Sequence, residues 1–253
     1  MAAGAEGGSY IHPMDQFLVK PLFGGDHMSV LTVSNATLWM AIAVLGVTAL
    51  TVWGTAGRAL VPSRTQSMAE MLYGFVRQMV EEVGGEGAMK YFPYIFTVFT
   101  FVLACNLFGM IPYSFTPTSH IAVTAFLALA VFITVTVIGF MKHGMHFLSF
   151  FWPAEAPGWL RPVLCIIELI SYFVRPVSHS IRLGANMLAG HAVLKVFAGL
   201  FAMTIAGGLG PLAILPLGAM VGLTAFEFLV AVIQAYIFAV LTCVYLHDAL
   251  HMH

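Results

Sequence analysis

Charge is what this sequence has least of. Of its 253 residues only 8% are charged, while 60% are hydrophobic, and the mean hydropathy is +0.94. A soluble domain carries about a quarter charged residues. That shortfall excludes a soluble globular chain and reads as an all-α integral membrane protein with several spans. A formal net charge of -1 leaves no basic face for nucleic acid. The three cysteines, Cys105, Cys165 and Cys243, are far apart in apolar sequence. They read as small buried hydrophobes rather than as a disulfide framework or metal site. HExxH and GxSxG are missing, which removes the sequence signs of an intramembrane hydrolase. The N-terminus, MAAGAEGGSYIHPMDQF, has neither the cationic start of a secretory signal nor the Arg/Ser-rich character of a transit peptide. No internal repeat is present, although secondary transporters commonly show one.

What is present comes in membrane-length runs. A span needs about 20 apolar residues, and residues 36–54, 91–112 and 120–140 supply three, after an outer N-terminal segment over 1–35. Pro117 sits in the uncharged link FTPTS between the second and third. Residues 66–83 differ: Met68, Leu72, Phe75, Met79 and Val83 recur at helical spacing, with Glu70, Arg77, Glu81 and Glu82 on other faces. This predicts an amphipathic helix at the membrane surface; packing on a soluble partner is the competing reading. Residues 162–203 and 211–250 are too long for simple spans. A helix over 162–203 would run about 63 Å, roughly twice the hydrocarbon thickness. It must tilt, bend at Pro176, or both. The link AGGLGP makes the two a hairpin within one membrane domain spanning 1–253. Trp39, Trp53, Trp152 and Trp159 lie near span ends, as interfacial anchors do.

Arg58, Arg64, Arg77 and Lys90 lie between the first two spans, and Lys142 and Arg161 follow the third. The positive-inside rule then puts the N-terminus outside and the C-terminus in the cytoplasm. The ending HDALHMH reads as a solvated tail, although His247, Asp248 and His251 have the spacing of metal ligands. His143 and His146 read as loop residues. No metal or other cofactor is expected.

Polar residues break this pattern in one place. Glu168, Tyr172, Arg175, His179, Arg182 and Asn186 follow one another at spacings of four and three, on one helical face. Glu227, Gln234 and Asp248, seven and fourteen residues apart, also share one face of the last helix. An arginine at the centre of a membrane helix costs about 2.5–3.5 kcal/mol on the insertion scale. Such a stripe therefore points to an ion or substrate path, the alternative being interhelical hydrogen bonds that only hold the bundle. Setting Arg182 level with Gln234 in an antiparallel hairpin places His191 near Glu227 and Glu168 near Asp248. His191 then points away from Arg182, being nine residues on. Histidine and carboxylates carry protons at ordinary pH; arginine is a fixed charge. Arg175 reads as a residue reaching the cytoplasmic headgroups. Gly184, Ala185, Ala189 and Gly190 are small enough to admit a close neighbour, either a partner protein or another helix of this chain.

The segment PVSHSIRLGANMLAGH, with Glu227 and Gln234 downstream and NLFGMIP at Asn106 to Pro112, resembles subunit a of the F-type ATP synthase. The resemblance covers most of the chain. It implies a non-catalytic stator of the proton motor, whose two long inclined helices lie against the rotating ring of c subunits. Peripheral-stalk b subunits and other synthase subunits are then partners, with membrane lipid. The resemblance also implies two offset half-channels, with Arg182 between them and Asn186, His191, Glu227 and Gln234 nearby. Glu168 matches an acidic position on the cytoplasmic side. His179, Arg175, Tyr245 and Asp248 stand as further candidates. The order His191 then Glu227 is that of mitochondrial members and implies an alphaproteobacterial source. The location implied is the bacterial inner membrane, or the mitochondrial inner membrane as alternative. A secondary ion transporter or antiporter is the competing function.

Overall fold

The computed structural model describes residues 17–19, 21, 32–56, 62–111, 114–152 and 160–251. Most of the outer segment 1–35, together with Arg58, Pro112 and Trp159, lies outside the described residues. Six helices carry the fold: α1 (Asn35–Ala56), α2 (Arg64–Met79), α3 (Phe92–Gly109), α4 (Ile121–His143), α5 (Arg161–Ala206) and α6 (Ile214–Leu250). Five of them are long and apolar enough to cross a membrane, counting their short 3-10 extensions. The chain is thus all-α, with three simple spans, one shorter helix that does not cross, and a C-terminal pair of long helices.

Local sequence accounts for the boundaries. Ser63 caps α2 by accepting from the Gln66 amide, and Pro93 and Pro162 occupy first-turn positions of α3 and α5, where a missing N–H costs nothing. Gly144, at φ 56°, ends α4 in a backbone conformation that disfavours a side chain. Helix α5 runs unbroken for 46 residues through Pro176. At about 69 Å it must incline to stay within a bilayer.

Helix α3 sits centrally, against α1, α2 and α6, while α4 packs on both α5 and α6. The core joins Ile95, Phe99 and Val102 of α3, Val131 and Val135 of α4, Leu183 and Met187 of α5, and Ala231, Ala235, Phe238 and Cys243 of α6. Small residues on α6 let the neighbouring backbones close in. Cys105 and Cys243 are buried and Cys165 half-buried, all three as free thiols. Trp53 and Trp152 stand exposed at helix ends.

Helix α2 is the expected non-spanning amphipathic helix, with its apolar stripe divided between the bundle and the outside. It packs on α1, and the π-helical turn Val80–Gly84 that extends it packs on α6. Its inward face is Gln66, Ala69, Val76 and Met79; Met68 and Phe75 are exposed. The stripe drawn through Met68 and Phe75 took the largest apolar groups. Packing against α1 instead selects small ones: Ala69 meets the helix at Gly54, where a Cβ would lie 2.7 Å from the Ala69 methyl.

The C-terminal ending, as far as Leu250, corrects one expectation. It is docked rather than solvated. The Leu250 carbonyl accepts from Lys142 Nζ at 2.9 Å, and His247 Nδ1 lies 3.2 Å from the Gly84 carbonyl. A free helix C-terminus presents carbonyls without partners, and cationic side chains from α4 satisfy them here.

Candidate proton path

The polar residues fall at three levels along α5 and α6. The level farthest from the chain's basic residues is built by three elements. His191 of α5 places Nδ1 3.1 Å from Glu227 Oε1 of α6. Glu227 is 4% exposed, and the side chain of His191 is 11% exposed. The third element is the link between α3 and α4: Thr116 Oγ1 lies 2.9 Å from His191 Nε2. A cavity of 750 Å³ opens beside this group, lined among others by Thr116, His191, Lys195, Thr224, Asn35 and Trp39.

That link is not a surface loop. Phe115 to Ser119 are all buried. The Thr118 hydroxyl donates to Asn106 Oδ1 at 2.7 Å, and Asn106 Nδ2 donates to the Ala231 carbonyl of α6 at 3.0 Å. Ser119 donates to the Thr116 carbonyl at 2.7 Å. Hydroxyls and one amide thus pair with one another and with backbone carbonyls inside the bundle, the kind of pairing a membrane interior favours. Thr116 and Thr118 escaped the sequence reading. Their only sign there is a run of three hydroxyls in an uncharged link bounded by apolar spans.

The middle level holds Arg182. Its side chain is exposed and lies with His179, Gln234 and Phe238 around a shallow groove. Among the described residues it makes no ion pair or hydrogen bond. Asn186, one turn on, is exposed too, whereas Gln234 is buried. His179 is buried against the Phe238 ring at 3.8 Å. The six residues of the α5 stripe therefore split: Tyr172 and His179 turn inward, Arg182 and Asn186 outward.

The third level is at the basic end. Asp248 Oδ2 accepts from Arg175 Nη1 at 3.0 Å. Tyr172 and Tyr245 flank the guanidinium, with ring centroids 5.7 and 5.2 Å away, and the Tyr172 hydroxyl is 2.6 Å from Thr136 of α4. A cleft of 20 Å³, about one water in size, is lined by Tyr172, Arg175, Tyr245 and Asp248. Two expectations change here. Asp248 pairs with Arg175, two turns along α5 from Glu168, and Arg175 is held by that partner rather than reaching for headgroups. The chosen register was right at His191 but drifts by the far end of two helices this long. Glu168 is half-buried and stands apart from this cluster. Tyr172 serves as an interhelical tie.

The glycines face inward. A Cβ at Gly190 would lie 2.7 Å from Glu227 Oε1, and one at Gly184 would lie 2.9 Å from Thr124 Oγ1. Both make room for neighbours within this chain.

Fold and site together define a class: a multi-pass membrane protein with polar groups at both ends of a helix hairpin and an unpaired fixed charge between them. The family model described as the ATP synthase A chain matches residues 37–247. The chain is 62% identical over its whole length to a Dinoroseobacter shibae protein, also covered in full, and 59% identical over 99% of both chains to one from Paracoccus denitrificans. A Rhodobacter capsulatus protein is 58% identical over 86% of this chain and 92% of its own. Each is named ATP synthase subunit a. This chain belongs to the ATP synthase A chain family. Membership sets aside the transporter reading.

Proposed function

We propose that this chain is the non-catalytic stator through which protons reach the rotor of an ATP synthase, and that Arg182 is the charge that separates its two half-channels. Its partners are the c-subunit ring, the b subunits and the other subunits of the complex. One observation carries the assignment for Arg182. Among the described residues it stands unpaired on the exposed side of α5, flanked by the exposed Val177 and Ile181. Lipid cannot cover a guanidinium without a cost of about 2.5–3.5 kcal/mol. What covers it must bring a carboxylate, and the moving ring supplies one.

Protons enter through the 750 Å³ cavity, pass His191 and Glu227, and neutralise a ring carboxylate, which can then face lipid. At the other half-channel the carboxylate releases its proton toward Glu168 and the cytoplasm. The anionic site is then drawn to Arg182, oriented by Gln234 and Asn186, before it reloads. Arg182 cannot take up the proton itself, so it blocks a direct leak. The basic residues Arg64, Arg77, Lys90, Lys142 and Arg161 mark the cytoplasmic side, which places the N-terminus in the periplasm and the protein in a bacterial inner membrane.

ATP-driven acidification of vesicles carrying the whole complex tests this. With Arg182→Ala, at equal assembly, pumping should disappear. Pumping at the normal rate would overturn the assignment.

A further inference from the structure

The Thr116 hydroxyl stands between two partners. Its oxygen lies 2.9 Å from His191 Nε2 and 3.2 Å from the Gly109 carbonyl. A hydroxyl has one proton and two acceptor lone pairs, so it cannot donate to both. It can donate to Nε2 and leave Gly109 to its other donor, the Ser114 hydroxyl at 2.9 Å. Or it can donate to Gly109 and accept an Nε2–H. The first arrangement suits a neutral imidazole whose Nε2 is bare; the second suits an imidazolium, in which both nitrogens donate. The other nitrogen, Nδ1, faces Glu227 in either case.

We propose that Thr116 is a positioning residue for proton passage, a hydroxyl rotor that satisfies His191 Nε2 in both of its protonation states. Resting on the path described above, this lets His191 accept and release a proton between the cavity and Glu227 without leaving a ring nitrogen unpaired inside the membrane. The proton arrives from the cavity and leaves through Nδ1 to the carboxylate, while the hydroxyl only turns. The backbone is built for it: a Cβ on Gly109 would lie 2.5 Å from Thr116 Oγ1, so only a glycine leaves the hydroxyl its place beside that carbonyl. Among the described residues, the titratable or charged groups around His191 are Glu227 of α6, Lys195 one turn along α5, and His120, which stacks on Phe115. The link and α3 add hydroxyls and the Asn106 amide.

The test is passive proton flux through the reconstituted whole complex, driven by a potassium–valinomycin potential, with pH varied on the His191 side. Thr116→Val keeps the shape but can neither donate to Nε2 nor accept from it, so both ring states lose a partner, and the imidazolium loses the stronger, charge-assisted bond. The half-maximal point should move about one to two pH units to the acid side, and Thr116→Ser should restore it. Gly109→Ala, which displaces the hydroxyl, should move it the same way. A purely structural threonine would lower flux at every pH without moving the profile; that outcome, or an unshifted profile in Thr116→Val, overturns the proposal. Arg182→Ala in the ATP-driven acidification assay separates the two readings. If Arg182→Ala still pumps with ATP, the proton path itself is wrong. If it does not and Thr116→Val is unshifted, only the rotor is.

Discussion

His191, paired with Glu227 of α6, and Arg182 lie nine residues apart on α5 and are treated in opposite ways. The first group is closed within the chain. Glu227 and Gly190 interlock, Thr116 holds the far ring nitrogen, and a buried link seals the group against α3 and α6. The second is open, an arginine on an exposed face with a groove beside it and no partner among the described residues. Groups that exchange protons need fixed neighbours, because their distances set the transfer. A group that must release its counter-charge once per step is better left without a permanent one, since a buried pair is costly to break. The hairpin thus separates what is held from what is offered.

Giving Arg182 a permanent partner should break this contrast most severely. Gln234→Glu puts a carboxylate in the groove that Arg182 lines, and ATP-driven pumping should fall by about tenfold or more, because the fixed charge is neutralised in place. Retention of full pumping would mean that Arg182 need not be free. A smaller effect should come from loosening the closed group. In Gly190→Ala the new methyl collides with Glu227 Oε1 and turns the carboxyl from His191. Flux should drop severalfold, with a stability change of about 1 kcal/mol, read by thermal unfolding of the purified complex. The mildest test concerns the far end of the hairpin, where the Arg175 and Asp248 side chains are 23% and 35% exposed. A double-mutant cycle with Arg175→Gln and Asp248→Asn should give a coupling of about 1 kcal/mol or less and leave pumping within about twofold. A large loss of pumping would move that pair from support into the path.

Much of this plan was legible in the sequence. Apolar runs gave the spans, and the over-long segments gave the hairpin. A single register assumption brought His191 to Glu227, because helix geometry is regular over the short interval from Arg182. The same regularity failed by Asp248, where small packing offsets accumulate over two more turns and Arg175 takes the place of Glu168. The buried link was invisible for a different reason. Thr116 and Thr118 look like turn residues, and nothing local shows that their hydroxyls meet His191 and Asn106 on other elements. The amphipathic character of α2 was legible, but its packing on α1 through Ala69 and on the core through Val76 was not, since small and β-branched residues give no strong stripe. That Arg182 is unpaired could not be read from sequence at all, since it depends on which side of α5 the other helices leave uncovered.

The most direct test of the central claim, that the open face of α5 meets the ring, is oxidative cross-linking in the assembled complex. A cysteine is placed beside the ring's membrane-embedded carboxylate, and a second on either side of α5. Ser178→Cys and Ala189→Cys lie on the exposed side with Arg182, whereas Ser180→Cys and Met187→Cys lie on the buried side. The account predicts disulfides from the first two and none from the others. Cross-links from the buried pair, with none from Ser178→Cys or Ala189→Cys, would contradict it.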